Sequence, residues 1–170
     1  MIGKYLNGKI AIFIDASNIF YSQKTLGWRV DYKKLKNYFA KEGKIYGLFF
    51  YTGFVGKATK QTKFLKHLRK LGYHVLAKEV KFVKIANGKF IPKGNLDVEM
   101  AVDMTTKCNE FDSALVMSGD GDFAYAIDYL KQRHKQVIVI STRGHIAREL
   151  LKRAKYIDLR KLKKEIEFEG

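Results

Sequence analysis

Four aspartates occupy places from which they could hold a metal ion. Asp120 and Asp122 stand one glycine apart in the stretch SGDGDF at 118–123, directly after an apolar run. Asp15 directly follows another apolar run, and Asp97 lies at the expected start of a helix. Carboxylates that crowd together away from water raise each other's pKa unless a divalent cation neutralises them. The pattern therefore predicts a site for Mg²⁺ or Mn²⁺, hard cations that take oxygen ligands and keep several waters.

Each of these aspartates, taken alone, also has a purely structural explanation. Asp122 could cap the helix that begins near Phe123, and Asp15 could close a turn before a helix capped by Ser17 or Asn18. The convergence of four acids on one edge of the fold is what favours the metal site over these alternatives.

Neighbouring residues are expected to support the four aspartates. Asn18 lies about one helical turn beyond Asp15, so its amide can reach the same cleft. Ser118 and Gly119 supply a hydroxyl group and a close approach of the backbone. Gly121 is predicted to let the chain turn where a side chain would obstruct a metal or phosphate.

Two further acids, Asp103 and Glu99, lie on the same predicted helix as Asp97. Asp103 follows Asp97 by six residues, which places it about 240° further around a helix. Both can border one site only if one of them is in the first turn, and pairing of Asp103 with Lys107 is the alternative. For Asp103 and Glu99, hydrogen bonding to residues that hold the metal is as well supported as direct contact with the metal.

The elements that must position these residues alternate between strand and helix. Five apolar, β-rich runs occur, and most are too continuous to be half-exposed antiparallel strands. They are IAIFI at 10–14, IYGLFFYT at 45–52, YHVLA at 73–77, SALVM at 113–117 and QVIVI at 136–140. Segments with helical spacing separate them, which predicts a three-layer α/β/α sandwich around a central, mainly parallel sheet of about five strands. Ligands of such sheets bind beyond the carboxyl ends of the strands, where the aspartates fall.

A hairpin is predicted to interrupt this alternation. Asn87 followed by Gly88, between two short apolar runs, indicates a small flap near 80–92. Its lysines alternate with two phenylalanines, whose rings could stack on unpaired bases. The predicted nucleic-acid contacts are Lys81, Phe82, Lys84, Lys89, Phe90 and Lys93 in the flap, and Lys57, Lys60 and Lys63 upstream of it. For the upstream lysines, a solvated helix face is an equally good explanation.

The composition bounds the class of protein. The 170 residues include 33 Lys and Arg but only 17 Asp and Glu, so the formal net charge is +16. Such a field attracts phosphate polyanions and makes nucleic acid the leading partner, although charge alone does not separate RNA, DNA and anionic membranes. Without a linker or repeat, one domain is expected over 1–170, with a basic C-terminal extension from about 155.

Cysteine content and hydropathy indicate where the protein works. A single cysteine, Cys108, excludes an internal disulfide and a zinc cluster and indicates a reducing, cytoplasmic location. No apolar run approaches the roughly 18 residues of a membrane span, so no membrane partner is expected.

Three stretches together resemble the motifs of the NYN domain, in the LabA-like branch of the PIN-like nuclease superfamily. They are IAIFIDASNIF, KGNLDVEMAVDM and ALVMSGDGDF, and they span residues 10–123 in the expected order. The resemblance implies a PIN-like sandwich and a metal-dependent ribonuclease, which favours RNA over DNA as the partner. It carries the family's site positions onto Asp15, Asn18, Asp97, Asp103, Asp120 and Asp122.

The expected chemistry is hydrolysis of RNA phosphodiester bonds with Mg²⁺ or Mn²⁺ as cofactor. One or two ions held by the four aspartates would orient a water, lower its pKa and stabilise charge on the leaving oxygen. The alternative is a non-catalytic RNA-binding or regulatory module with the same fold. A homodimer is also left open, because Tyr21 and Trp28 fit a dimer contact and a core role equally well.

Overall fold

The computed structural model describes residues 2–56 and 59–170, in which strands and helices alternate as the sequence predicts. The strands are β1 Lys9–Asp15, β2 Lys44–Phe54, β3 His74–Glu79, β4 Lys81–Lys84, β5 Phe90–Lys93, β6 Ser113–Met117, β7 Gln136–Ser141 and β8 Lys155–Asp158. The helices are α1 Ala16–Leu26, α2 Tyr32–Glu42, α3 Thr59–Lys70, α4 Asp97–Thr106, α5 Ala124–Gln132, α6 Arg148–Arg153 and α7 Lys163–Ile166. The predicted α/β sandwich with a parallel sheet is confirmed.

The central sheet has six strands, one more than the five predicted, in the order β3-β2-β1-β6-β7-β8. Each pairing in this sheet is parallel. From β1 the chain first builds one half of the sheet, through β2 and β3, and then returns to add β6, β7 and β8 on the other side of β1. The strand order therefore reverses between β1 and β6, where α/β sheets open a crevice at the carboxyl edge.

The segment from residue 155 is part of the fold, which corrects the prediction of a basic extension. Its first residues form β8 at the edge of the sheet, paired with β7. Leu159, Leu162 and Ile166, which follow β8, are all buried in the core. These apolar residues recur at spacings of three and four, which is one face of a helix, so they are buried while the lysines between them stay in water.

Two cores sandwich the sheet, because alternate residues of each strand point to opposite faces. Ile10, Ile12 and Ile14 of β1 pack with α1, α2, α3 and α7. Ala11 and Phe13 of the same strand pack with α4, α5 and α6. Trp28 belongs to the first core, so the structure favours its core role over a dimer contact.

The predicted hairpin flap is present as a separate two-stranded sheet, in which β4 and β5 are antiparallel. Gly88 in its turn has a φ of 78°, a left-handed conformation that glycine adopts without strain. The register places Phe82, Lys84 and Phe90 on one face of the ribbon and Lys81 and Lys93 on the other.

Among the helices of residues 2–56 and 59–170, none combines the length and the apolar character needed to cross a bilayer.

Candidate metal centre

Three local structures hold the aspartates at the carboxyl edge of the sheet. Asp15 ends β1 and caps α1, because its Oδ1 accepts hydrogen bonds from the backbone amides of Ser17 and Asn18, at 3.1 and 3.2 Å. Asp120 follows β6 and caps a short 3₁₀-helix, Gly121–Phe123, by accepting a 3.0 Å bond from the amide of Asp122. Asp97 is the first residue of α4, which reaches this edge because it leads back to the next strand.

Asp97, Asp120 and Asp122 come together as one cluster. One carboxylate oxygen from each lies within 4.8 Å of the others. Oxygens on opposite sides of an octahedral Mg²⁺ are about 4.2 Å apart, twice the ~2.1 Å metal–oxygen distance. The three oxygens therefore fit the coordination sphere of one such ion after small side-chain movements.

The charges of the cluster are not balanced by the protein. Burial, followed by the negative charges of Asp15, Asp120 and Asp122, raises the pKa of Asp97 to about 6, although a hydrogen bond from Asn95 opposes this. None of the ion pairs formed within the described ranges involves these aspartates. An all-oxygen donor set with excess negative charge suits Mg²⁺ or Mn²⁺.

Asp15 lies beside this cluster and is not one of its three members. Its Oδ1 accepts bonds from the Ser17 hydroxyl and two backbone amides, and its Oδ2 accepts a 2.8 Å bond from Ser118 Oγ. Its side chain is only 7% exposed. Of the four predicted ligands, Asp97, Asp120 and Asp122 are therefore grouped. Asp15 lies next to them, is held by hydrogen bonds and adds negative charge to the site.

The predicted supporting residues lie at the same edge. Ser118 Oγ also accepts a bond from the Asp120 amide, and Asn18 Oδ1 accepts one from Ser141 Oγ. Gly119 is required sterically, since a Cβ there would stand 1.7 Å from the carbonyl oxygen of His145. At Gly121 the nearest protein atom to a Cβ would be Ala147 Cβ, at 3.2 Å, and obstruction of a metal or phosphate by a side chain there stays a prediction.

Asp103 and Glu99 are held by partners outside the cluster. Asp103 accepts a 2.7 Å bond from the Tyr51 hydroxyl and pairs with Lys107, the alternative that the sequence raised. Glu99 forms a 2.7 Å ion pair with Lys78. Tyr51 is the residue paired with Asp15 across β1 and β2, so Asp103 is connected to the site through Tyr51 and is not a member of the cluster.

Sequence reasoning missed the loop after β7. Ser141, the last residue of β7, donates a hydrogen bond to Asn18 Oδ1, and the His145 carbonyl in the loop lies against Gly119. His145 Nε2 is 2.8 Å from Thr25 Oγ1. The signal was available, because β7 neighbours β6 and its carboxyl end must reach the same edge of the sheet.

A large cleft opens next to Asp15 and Asp97, which both line it, and it has a volume of about 850 Å³. Its floor is the carboxyl end of β2, and its walls come from α1, α3 and the residues before α4. Phe20, Tyr21, Phe64 and Phe168 line it with partly exposed rings. None of these rings was predicted as a site residue, since they come from separate parts of the chain.

The predicted nucleic-acid contacts lie on exposed surfaces. In the flap, Phe82 and Phe90 are 56% and 63% exposed, and all four predicted lysines are exposed. Lys60 and Lys63 are exposed on α3, and Lys57 lies outside the described residues.

Comparison with known proteins links these features to a family. A model of the NYN domain matches residues 9–160. The chain is 38% identical over 164 residues to the low amplitude and bright protein LabA of Synechococcus elongatus, a match that covers 94% of this chain and 88% of the relative. A protein of unknown function from Vibrio parahaemolyticus has a crystal structure that superposes with a TM-score of 0.78, at 23% identity, and 94% of this chain and 96% of that chain are covered. The structural match supports the fold.

Proposed function

The chain belongs to the NYN domain family, a PIN-like nuclease family, and from this premise we propose that it is a metal-dependent ribonuclease. The proposed reaction is hydrolysis of RNA phosphodiester bonds with Mg²⁺ or Mn²⁺. The observation that carries the proposal is the grouping of Asp97, Asp120 and Asp122, whose oxygens lie within 4.8 Å of one another at the switch point of the sheet.

The residues of the site would have different roles in this reaction. Asp97, Asp120 and Asp122 would hold the ion, and a bound ion lowers the pKa of water and stabilises the leaving oxygen. Asp15 adds negative charge beside them, and its fixed hydrogen bonds keep it oriented. Asn18, whose backbone amide donates to Asp15 and whose Oδ1 accepts a bond from Ser141, would orient the scissile phosphate through its side-chain amide.

The exposed flap supports RNA as the substrate. Phe82 and Phe90 present rings on one face of the ribbon together with Lys84. Aromatic stacking and lysine contacts to phosphate are the usual means of binding single strands. Such contacts depend strongly on salt and weakly on sequence.

The direct test is cleavage of labelled single-stranded and structured RNA by the purified protein. Cleavage is expected with Mg²⁺ or Mn²⁺ and is expected to stop in EDTA. The cleavage rate should fall by about 100-fold or more in each of the variants Asp97→Asn, Asp120→Asn and Asp122→Asn. Even residues that only hydrogen-bond to metal ligands typically lower metal affinity or activity by about 10- to 100-fold when they are mutated. Asn also caps helices well, so Asp120→Asn should keep its local structure.

Glu110→Gln is the matched control, because Glu110 is exposed and precedes β6, at the opposite edge of the sheet. It should cleave like the unmodified protein. Cleavage that persists in EDTA or in all three aspartate variants contradicts the proposal. RNA binding without cleavage by the unmodified protein would replace it with the non-catalytic, RNA-binding alternative.

A further inference from the structure

The cleft beside the aspartates is continuous with the candidate metal centre. Asp15 and Asp97 form part of its lining, and Leu96 and Met100 continue the same wall. Its volume of about 850 Å³ lies in the range of small-molecule sites, about 300–1,000 Å³. A ligand bound in it would therefore extend directly to the carboxylate cluster.

The lining of the cleft is aromatic and accessible. Phe20, Tyr21 and Phe64 are 51%, 58% and 38% exposed. Phe64 packs against Tyr32 and Phe50 at ring-centroid distances of 5.7 and 6.0 Å, so it is supported from below. Large aromatic surface left open beside a polar centre is typical of a binding site.

Cations border these rings. Lys24 Nζ lies 4.5 Å from the ring centroid of Phe20, and the Arg29 guanidinium carbon lies 5.1 Å from that of Phe168. The cleft thus offers flat apolar surfaces in its interior, positive charge along its rim and a candidate cation site at one end.

We infer that this cleft binds one unpaired base of the substrate strand, while the phosphate attached to that nucleotide faces the carboxylate cluster. A nucleotide combines a planar apolar ring with an anion, which is the combination that the rings and cations match. This inference rests on the proposed function, because it places the base relative to the same catalytic site. It adds a contact distinct from those of the exposed flap.

The test separates base binding from cleavage. Binding of a fluorescein-labelled oligouridylate is compared by anisotropy with binding of an abasic ribose-phosphate strand of the same length, both in an Asp120→Asn background with Mg²⁺. The bases should tighten binding at least about fivefold, because stacking contributes about 1–3 kcal/mol per base and the flap adds its own contacts. Phe20→Leu and Phe64→Leu, which keep apolar volume but remove the ring, should each reduce this ratio about fivefold or more.

The control is Tyr46→Leu, at the amino-terminal part of β2, where an exposed aromatic residue lies away from the cleft. It should leave the ratio of the two affinities unchanged, and thermal unfolding should show that all three leucine variants are folded. The binding of the abasic strand should be the same in all of them.

Each outcome bears on one proposal or the other. If the ratio is unaffected by both cleft variants, or if the bases contribute nothing, the inference is wrong and the cleft serves another ligand, such as an apolar peptide. If the protein does not cleave RNA but binds bases in a way that depends on Phe20, the inference about the cleft stands and the nuclease proposal is wrong. If the protein cleaves RNA and the cleft variants do not change base binding, the nuclease proposal stands and the inference about the cleft is wrong.

Discussion

Ser118 Oγ donates a 2.8 Å hydrogen bond to Asp15 Oδ2, and this bond joins residues 103 positions apart at the ends of β1 and β6. Both residues are buried, with exposures of 0% for Ser118 and 7% for Asp15. The bond thus spans the switch point of the sheet and fixes the carboxylate beside the metal cluster.

Ser118→Ala should destabilise the protein by about 1–3 kcal/mol, because it leaves a buried carboxylate oxygen without its donor. Urea unfolding at neutral pH measures the change. Ser17→Ala is the matched control, since Ser17 also bonds to Asp15 but is exposed, and the carboxylate keeps two amide donors there. An equal loss in both variants would contradict the special role of the buried bond.

Asp97→Asn should stabilise the metal-free protein at pH 7. Burial and neighbouring acids raise the pKa of Asp97 to about 6 in the folded state, against about 3.9 in the unfolded chain. Ionisation therefore opposes folding above about pH 6, and this penalty is absent below about pH 4. With allowance for solvent screening, the gain should be about 1–2 kcal/mol above pH 6 and should vanish near pH 4.

Urea unfolding in EDTA across this pH range measures the effect, with Glu110→Gln as the control that should show no such pH dependence. Saturating Mg²⁺ should reverse the order, because it stabilises only a folded protein that can bind it. A metal-free variant no more stable than the unmodified protein at pH 7 would mean that the acids do not repel each other as the geometry indicates.

Gly119→Ala should disrupt the site far more than Gly121→Ala. The new methyl group at 119 would overlap the His145 carbonyl oxygen at 1.7 Å, whereas at 121 the nearest atom, Ala147 Cβ, is 3.2 Å away. Overpacking of this kind costs about 1–3 kcal/mol or more. Thermal unfolding and RNA cleavage measured on both variants check the expectation, and similar behaviour of the pair would count against it.

Asp158→Asn should destabilise the protein by about 1–2 kcal/mol at neutral pH. The hydrogen bonds from the Arg160 guanidinium to Asp158, at 2.7 and 2.9 Å, lower the pKa of this carboxyl to about 2. The stabilisation is therefore complete above about pH 4 and is lost as the pH falls through about 2. Unfolding of the variant and the unmodified protein should converge at the acid end of this range.

Asp128→Asn is the control for this prediction. In its ion pair with Arg153 the Asp128 side chain is 39% exposed, against 9% for Asp158, so its removal should change stability by well under about 1 kcal/mol. A large loss of stability in Asp128→Asn and none in Asp158→Asn would show that burial of the carboxylate does not determine how much these ion pairs stabilise the protein.

Phe82→Ala combined with Phe90→Ala should weaken RNA binding without changing the fold, because both rings are exposed on the flap. Loss of two stacking contacts is worth up to about 1–3 kcal/mol each. Lys84→Ala on the same face should instead reduce the salt dependence of binding, since it removes a charge and no ring. Fluorescence anisotropy over a salt series distinguishes the two effects, and unchanged affinity in all variants would exclude the flap from the binding surface.

The fold was largely predictable because β1, β2, β6 and β7 are continuous apolar runs, which only a sheet covered on both faces can bury. β8 was missed because KYID is short and carries charges at both ends, as an edge strand can. At the site, the rule that ligands gather at strand ends correctly brought Asp97, Asp120 and Asp122 to one edge. The bond between Ser118 and Asp15 and the aromatic cleft depend on tertiary packing of distant segments, which no local pattern encodes.

The burial of Leu159, Leu162 and Ile166 also affects how the protein matures during synthesis. These residues complete the core that β1 begins nearly 150 positions earlier. A nascent chain released or stalled before Ile166 lacks part of the layer that covers this face of the sheet, and it exposes apolar surface to other chains. A truncated product that lacks this segment should therefore be a target for chaperones and proteases.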